Sequence, residues 1–183
     1  MENPFKKISV ETRCFTEAEL AQFTFKPEET EILIQIGLPI ISEPNSLRFA
    51  KPGAASDAGG LQTLKDAWPK FEKVKAAEKC IVIASDSNGN SLFINATESG
   101  GPITFYDHDF GMMRYVNQDL ATFVQALSAL IAFNQRHRIG LNNSGNASSE
   151  DYQKLKDELY DMDAECVNNA DSFWNELVFL GRL

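Results

Sequence analysis

The sequence predicts a mixed helix-and-sheet fold, an antiparallel meander closed by a long amphipathic helix. Three observations carry that prediction. Between Cys80 and Val116, short apolar runs alternate with turn chemistry: 80–85, Asn88-Gly89, 91–95, Gly100-Gly101, 102–106, Asp107-His108-Asp109 and 113–116. From Asn117 onward the apolar period changes from two residues to about 3.6. Past Ser149 a second helical stripe runs through Tyr152, Leu155, Leu159, Met162, Cys166, Ala170, Phe173 and Leu177.

Each element has a local reason. Thr16 ahead of Glu17-Ala-Glu-Leu20 predicts a short helix, because a Thr side chain caps and early Glu suits the positive end of the helix dipole. Pro27-Glu28-Glu29 opens a second helix, since Pro costs nothing where the N–H is unpaired anyway. Ile32, Leu33 and Ile36 keep helical spacing, and Gly37-Leu38-Pro39 stops it. Residues 42–60 read as a long loop in which only 47–50 is strand-like, with 54–60 as its tip. Residues 61–68 read as a short helix or irregular connector, and 69–79 take no assignment.

Asn88-Gly89 between two apolar runs predicts a hairpin with a type I′ turn, because both residues accept positive φ. The unbroken apolar run 80–85 suits a central strand covered on both faces. In 102–106, Ile103 and Phe105 alternate with Thr104 and Tyr106, which suits a half-covered strand. Asn117-Gln-Asp119 caps a helix running to about His137, with Leu120, Phe123, Val124, Leu127, Leu130 and Ile131 on one face. After a polar loop at 140–148, the last helical region begins near Ser149. Asp163 falls close to its apolar stripe if the helix is unbroken. Either Asp163 is partnered, or the region is two helices with a break near 168–171.

Composition bounds the function. A chain of 183 residues fits a single domain over 1–183, and 43% apolar residues with 13 Phe fill a real core. The net charge of -9 argues against a nucleic-acid partner, since phosphate binding needs Lys and Arg. It favours a basic protein partner instead. No apolar run approaches a membrane span, and the first residues lack the apolar core of a signal peptide. Three scattered cysteines, Cys14, Cys80 and Cys166, form no CxxC pair and no disulfide framework. A reduced, cytoplasmic protein is the expectation.

Candidate chemistry is sparse. Asp86-Ser-Asn88-Gly-Asn90 begins like a calcium loop, but that loop needs Gly at position six and a carboxylate at twelve. Here Gly comes fourth and Thr97 twelfth. Asp107-His108-Asp109 is a carboxylate–imidazole cluster, yet zinc wants more nitrogen or sulfur ligands and a hydrolytic triad wants an activated nucleophile. No phosphate loop, dinucleotide fingerprint or nucleophile elbow accompanies it. Cys80 and Cys166 sit in apolar surroundings and read as core residues. From Ser149 to the end there are nine Asp or Glu against three Lys or Arg. On a helical wheel Glu150, Asp157, Asp161 and Glu165 lie opposite the apolar stripe, either as a solvated face or as a surface that steers a basic partner.

Taken in order, these pieces resemble the SUKH superfamily, the cell-wall-assembly-regulator-like immunity proteins. The resemblance rests on Ile36-Gly37-Leu38-Pro39, the strands 80–85 and 91–95 around Asn88-Gly89, Tyr106-Asp107-His108-Asp109, and above all Val116-Asn117-Gln118-Asp119-Leu120-xx-Phe123 leading into a helix. Gln118 stands where a small Ser is common. The resemblance covers about 26–135 as core, with a C-terminal helical extension at about 149–180. It implies an α+β fold: a mostly antiparallel sheet of about six strands with helices packed on it. It also implies a non-catalytic role with no cofactor or metal, in which the protein binds and neutralises a cognate bacterial toxin, often a nuclease or deaminase. The expected partner is therefore a basic toxin, met by a monomer or weak homodimer through Glu150, Asp157, Asp161 and Glu165, with the 51–60 loop as a second contact. Two rival readings stand beside it: a small metal-assisted hydrolase using Asp107, His108 and Asp109, and a regulatory adaptor for some other protein.

Overall fold

Asn3 opens the fold by accepting the Phe5 amide proton (2.9 Å), which caps α1 (Pro4–Lys7) and buries Phe5 completely. The structure is a computed structural model that describes residues 1–40, 47–55, 59–69, 76–95, 101–140 and 144–176. β1 (Thr12–Arg13) pairs antiparallel with β2 (Leu38–Pro39), and two helices lie between them. α2 (Glu17–Leu20) carries the predicted Thr16 cap, completed into a reciprocal box by Glu19. α3 (Pro27–Gln35) ends at Gly37, whose φ is +73° and whose added Cβ would run into the Arg13 carbonyl. Only glycine lets β1 and β2 approach there.

The main sheet has six antiparallel strands. β3 (Arg48–Phe49) and β4 (Gln62–Thr63) share one edge of β5 (Cys80–Ser85), opposite Ser85/Ala84 and Val82/Ile81 respectively. β6 (Ser91–Asn95), β7 (Ile103–Asp107) and β8 (Met112–Asn117) follow in order on the other side. Residues 61–68 are thus a strand and a helix, β4 running into α4 (Leu64–Ala67) through the Thr63–Asp66 capping box. A single 3₁₀ turn, Ala77–Lys79, leads into β5.

β5 is covered on both faces, as its continuous apolar run predicts. Ile81 and Ile83 join Leu92, Ile94, Ile103, Phe105 and Val116 on the face under the long helix α5 (Leu120–His137). Cys80 and Val82 join Phe93 and Tyr106 on the other face, under Leu64, Ala77, Ala67 and Trp68. Tyr106 is therefore buried (7% exposed), and β7 is more fully covered than its alternation suggests. The Asn-Gly hairpin forms, but without a type I′ turn. Asp86 and Asn90 still pair, so the loop is three residues long, and Gly89 alone in it holds a positive φ (+87°). The Asp86 carboxylate accepts the Asn88 and Asn90 amide protons (2.9 and 2.8 Å), which stabilises the longer loop.

α5 starts at Asp119, which accepts the Thr122 amide proton (2.8 Å), and α1 lies along it. α6 (Ser149–Met162) returns against α5, with Tyr152 on Phe133 (5.0 Å between rings) and Leu155 and Leu159 buried. The helical region breaks twice: at Asp163, between α6 and α7 (Glu165–Asn168), and again over 169–172, at the 168–171 break the sequence predicts, before helical backbone resumes at Phe173. Asp163 is both partnered and the first break, because its carboxylate is pulled onto the sheet. Ala170 consequently leaves the stripe and is exposed, while Val167 and Trp174 are buried. Leu177 lies outside the described residues, as do 42–46 and 56–58 of the predicted loop, Gly100 of the Gly-rich turn and 141–143 of the polar loop before α6. No described helix is long and apolar enough to cross a membrane.

Candidate functional site

The two hairpin ends at one end of the sheet are tied together by side chains. Asn90 donates to the buried Asp86 carboxylate (2.9 Å), which orients its amide and aims Oδ1 at the neighbouring hairpin. There Oδ1 accepts both the backbone N–H and the Nδ1–H of His108 (2.9 and 2.7 Å). The imidazole stacks on Trp68 (4.7 Å between rings, 28° between planes), and the Trp68 indole donates to Ser91 Oγ (3.0 Å) and meets Tyr106 edge-on. The turn is thus held from both sides.

What this support presents to solvent is apolar. Phe110 is 77% exposed, Met112 42% and Met113 40%. Two other large hydrophobic residues, Met1 and Tyr160, share that exposure among the described residues. Three of the five therefore sit within four positions of one tip, a clustering that marks interaction surfaces. Met113 opposes Tyr106 and Met112 opposes Asp107, so the two methionines emerge on opposite faces with Phe110 at the end. The tripeptide Phe-Gly-Met inside a turn was the signal available in the sequence, because apolar residues at a loop tip have no core to enter.

Asp107-His108-Asp109 does not assemble into a reactive centre. Asp107 accepts the Phe110 amide proton (3.2 Å) and lies 3.6 Å from the buried Arg114 guanidinium, which is also ion-paired with Glu176. His108 turns instead to Asn90, with Asp109 3.3 Å from its other nitrogen. The three side chains do not converge, and no group of three His, Cys, Asp or Glu suited to a metal occurs among the described residues. Cys80 and Cys166 are buried, and burial pushes their thiols up to about 11 and about 12; Cys14 is exposed.

Glu150, Asp157, Asp161 and Glu165 are all exposed, but they do not share one helix. The first three belong to α6, and Glu165 follows the break in α7. Glu150 is paired with Lys154 (2.8 Å), and Asp157 accepts from Gln153 (2.7 Å). Within 51–60, Lys51 donates to the Gly59 carbonyl and Gly53 to the Glu19 carboxylate, so the described part of that loop is anchored to α2.

The 116–123 segment docks the tail. Asn117, fully buried, donates to Asp163 (3.3 Å) and accepts from the Trp174 indole (3.0 Å), which also reaches the Val116 carbonyl (3.1 Å). Asp163 further accepts from Tyr115 Oη (2.9 Å) and the Gln118 amide (3.0 Å). Burial, then the bond to Asp163, pushes the Tyr115 phenol upward. β8 is an edge strand, and these bonds occupy backbone groups that an open edge would leave to a stray chain. Gln118, the residue that departs from the pattern, also donates to Thr122 Oγ1 (3.2 Å) across the helix start.

Fold and tip together define an α+β scaffold that displays side chains at a hairpin end and gathers no reactive cluster there. A family model described as SUKH-4 immunity protein matches residues 10–180, and the chain belongs to that family, within the SUKH superfamily. The match takes in the first helices and the tail, beyond the 26–135 stretch that carries the resemblance in sequence. No curated protein and no solved structure matches the chain.

Proposed function

We propose that this protein neutralises a cognate toxin by binding it directly, without catalysis. The observation that carries the reading is the family match across 10–180. The β7–β8 tip supports it: Phe110, Met112 and Met113 are apolar anchors on a turn braced by Asn90 and Trp68, and rigid apolar anchors dominate binding energy. The exposed acids Glu150, Asp157, Asp161 and Glu165 steer a basic toxin, such as a nuclease whose phosphate-binding face is cationic.

The test is co-purification with the C-terminal domain of a large toxin encoded by the adjacent gene. The full chain is expected to co-elute with that domain and to abolish its toxicity. Phe110→Ala with Met113→Ala is expected to weaken the complex by about 2 kcal/mol or more while leaving thermal unfolding unchanged. Retained affinity in that double variant removes the tip from the interface, and failure of the wild-type chain to protect cells overturns the reading.

A further inference from the structure

On one face of the sheet, successive strand pairings line up a single row of side chains. Arg48 stands opposite Ser85, Ser85 opposite Ser91, Ser91 opposite Tyr106, and Tyr106 opposite Met113. Directly opposed residues of antiparallel strands share a face, so the row runs unbroken from β3 across to β8. Leu47 and Phe49 enter the core under α5, and the period of two turns Arg48 the other way. The exposed β7–β8 tip is thus one end of a row whose other end is a cation.

Trp68 lies over the middle of that row. Its indole donates to Ser91 Oγ (3.0 Å), meets Tyr106 edge-on (6.0 Å) and stacks on His108 (4.7 Å). The half-buried ring also walls a cavity of about 540 Å³, which Arg48, Lys51, Ser85 and Ser91 line as well. Arg48 and Lys51 are exposed, and neither has an ion-pair partner among the described residues. Asp66, the one acid in the lining, accepts from Thr63 Oγ1 (2.6 Å) in the cap of α4. In a chain of net charge -9, this lining carries two cations against one acid.

We infer that the toxin-binding face extends from the tip across Trp68 to this cavity, where the toxin places an Asp or Glu carboxylate on Arg48 and Lys51. The inference rests on the reading of the chain as a toxin-binding protein. Charge complementarity selects the occupant: a guanidinium holds a carboxylate through two parallel N–H bonds, and the ammonium adds a second positive charge. Arg beside a large aromatic ring is also the composition in which binding energy concentrates. The acids of α6 and α7 steer a basic toxin from a distance, whereas this contact takes an acidic side chain and fixes the register of the docked pair.

The experiment measures the affinity of the full-length protein for the C-terminal domain of the toxin encoded by the adjacent gene. Arg48→Glu with Lys51→Glu is expected to weaken the complex about a hundredfold, and Arg48→Gln with Lys51→Gln about tenfold, because the carboxylate then meets like charge or none. Both side chains are exposed, so thermal unfolding is expected to stay unchanged in either variant. The penalty of the Glu pair is expected to shrink in about 0.5 M salt, which a merely structural defect would not do. In wild type, the Trp68 indole N–H resonance is expected to shift on adding the toxin domain. Wild-type affinity in both variants overturns the inference and leaves the tip reading standing, whereas no toxin binding by wild type overturns both. A Trp68 signal that moves with protein concentration alone assigns the face to a second copy of this chain. One that saturates with inorganic phosphate, while the variants keep their toxin affinity, assigns the cavity to a small anion; either outcome overturns the toxin carboxylate.

Discussion

Removing the Asp163 carboxylate is expected to detach the C-terminal tail from the sheet. Its Oδ2 takes the Tyr115 hydroxyl at 2.9 Å, the Gln118 amide at 3.0 Å and the Asn117 amide at 3.3 Å, while Oδ1 takes the Glu165 amide at 3.2 Å. A hydrogen bond to a charged group contributes about 1.5–3 kcal/mol net, and a buried donor left unpaired costs about 1–3 kcal/mol more. Two short bonds dominate here, and the others are long, so Asp163→Ala is expected to cost about 3–5 kcal/mol. Asp163→Asn keeps the shape and one acceptor oxygen but turns an N–H toward the Glu165 amide, and about 1–2 kcal/mol is expected. Urea unfolding followed by tryptophan fluorescence measures both, since the indole of Trp174 is fully buried and bonded to Asn117 in the same joint. The predicted order of midpoints is wild type, then Asn, then Ala, with the m-value lowered in Ala, where the detached tail no longer adds to the surface exposed on unfolding. An Asp163→Ala midpoint indistinguishable from wild type would refute the reasoning, because it would mean that the carboxylate does not hold the tail.

Three further expectations follow from the same structure. Reversing Glu150, Asp157, Asp161 and Glu165 to Lys is expected to slow toxin association several-fold at low salt in stopped-flow measurements; unchanged kinetics remove that face from the encounter. Alkylation at mildly alkaline pH is expected to label Cys14 alone in the folded protein, because burial holds the Cys80 and Cys166 thiols at about 11 and about 12; mass spectrometry showing native labelling of either buried thiol contradicts this. Burial raises the Glu29 carboxyl above its ordinary 4.5, against the opposing hydrogen bond from Lys26 N, so its contribution to stability is present below that pH and is lost as pH rises through the folded value. Glu29→Gln, which still accepts from Lys26, is therefore expected to gain on wild type between pH 4.5 and neutrality; a difference that does not vary with pH over that window goes against the assignment.

The scaffold was legible where local chemistry repeats. β5, β6, β7 and β8 follow from their apolar runs and turns, and α5 from its 3.6-residue stripe and the Asp119 cap. β3 falls within the strand-like 47–50, but β1, β2 and β4 were not legible, because two residues define no period and these strands exist only through the partners they meet. Asp163 stood out in sequence as a charge on an apolar stripe, a local conflict. Its resolution needed Tyr115 and Gln118, more than forty residues away along the chain. The candidate site was less legible still. Asp107-His108-Asp109 drew attention as possible chemistry, whereas Asn90 and Trp68, distant in sequence, turn His108 into a brace for an exposed Phe110.

By itself the sequence determined the elements whose reasons are local: backbone propensity, capping side chains, turn residues and the period of apolar positions act within about one turn of chain. It also carried the likeness to the SUKH superfamily, through the Val116–Phe123 pattern. Tertiary structure alone decided which polar residues brace a turn, which cap the edge of β8, and which apolar ones stay outside. Those outcomes depend on hydrogen bonds and packing between residues far apart in sequence, and a carboxylate or a ring takes its role from the neighbours that folding brings to it.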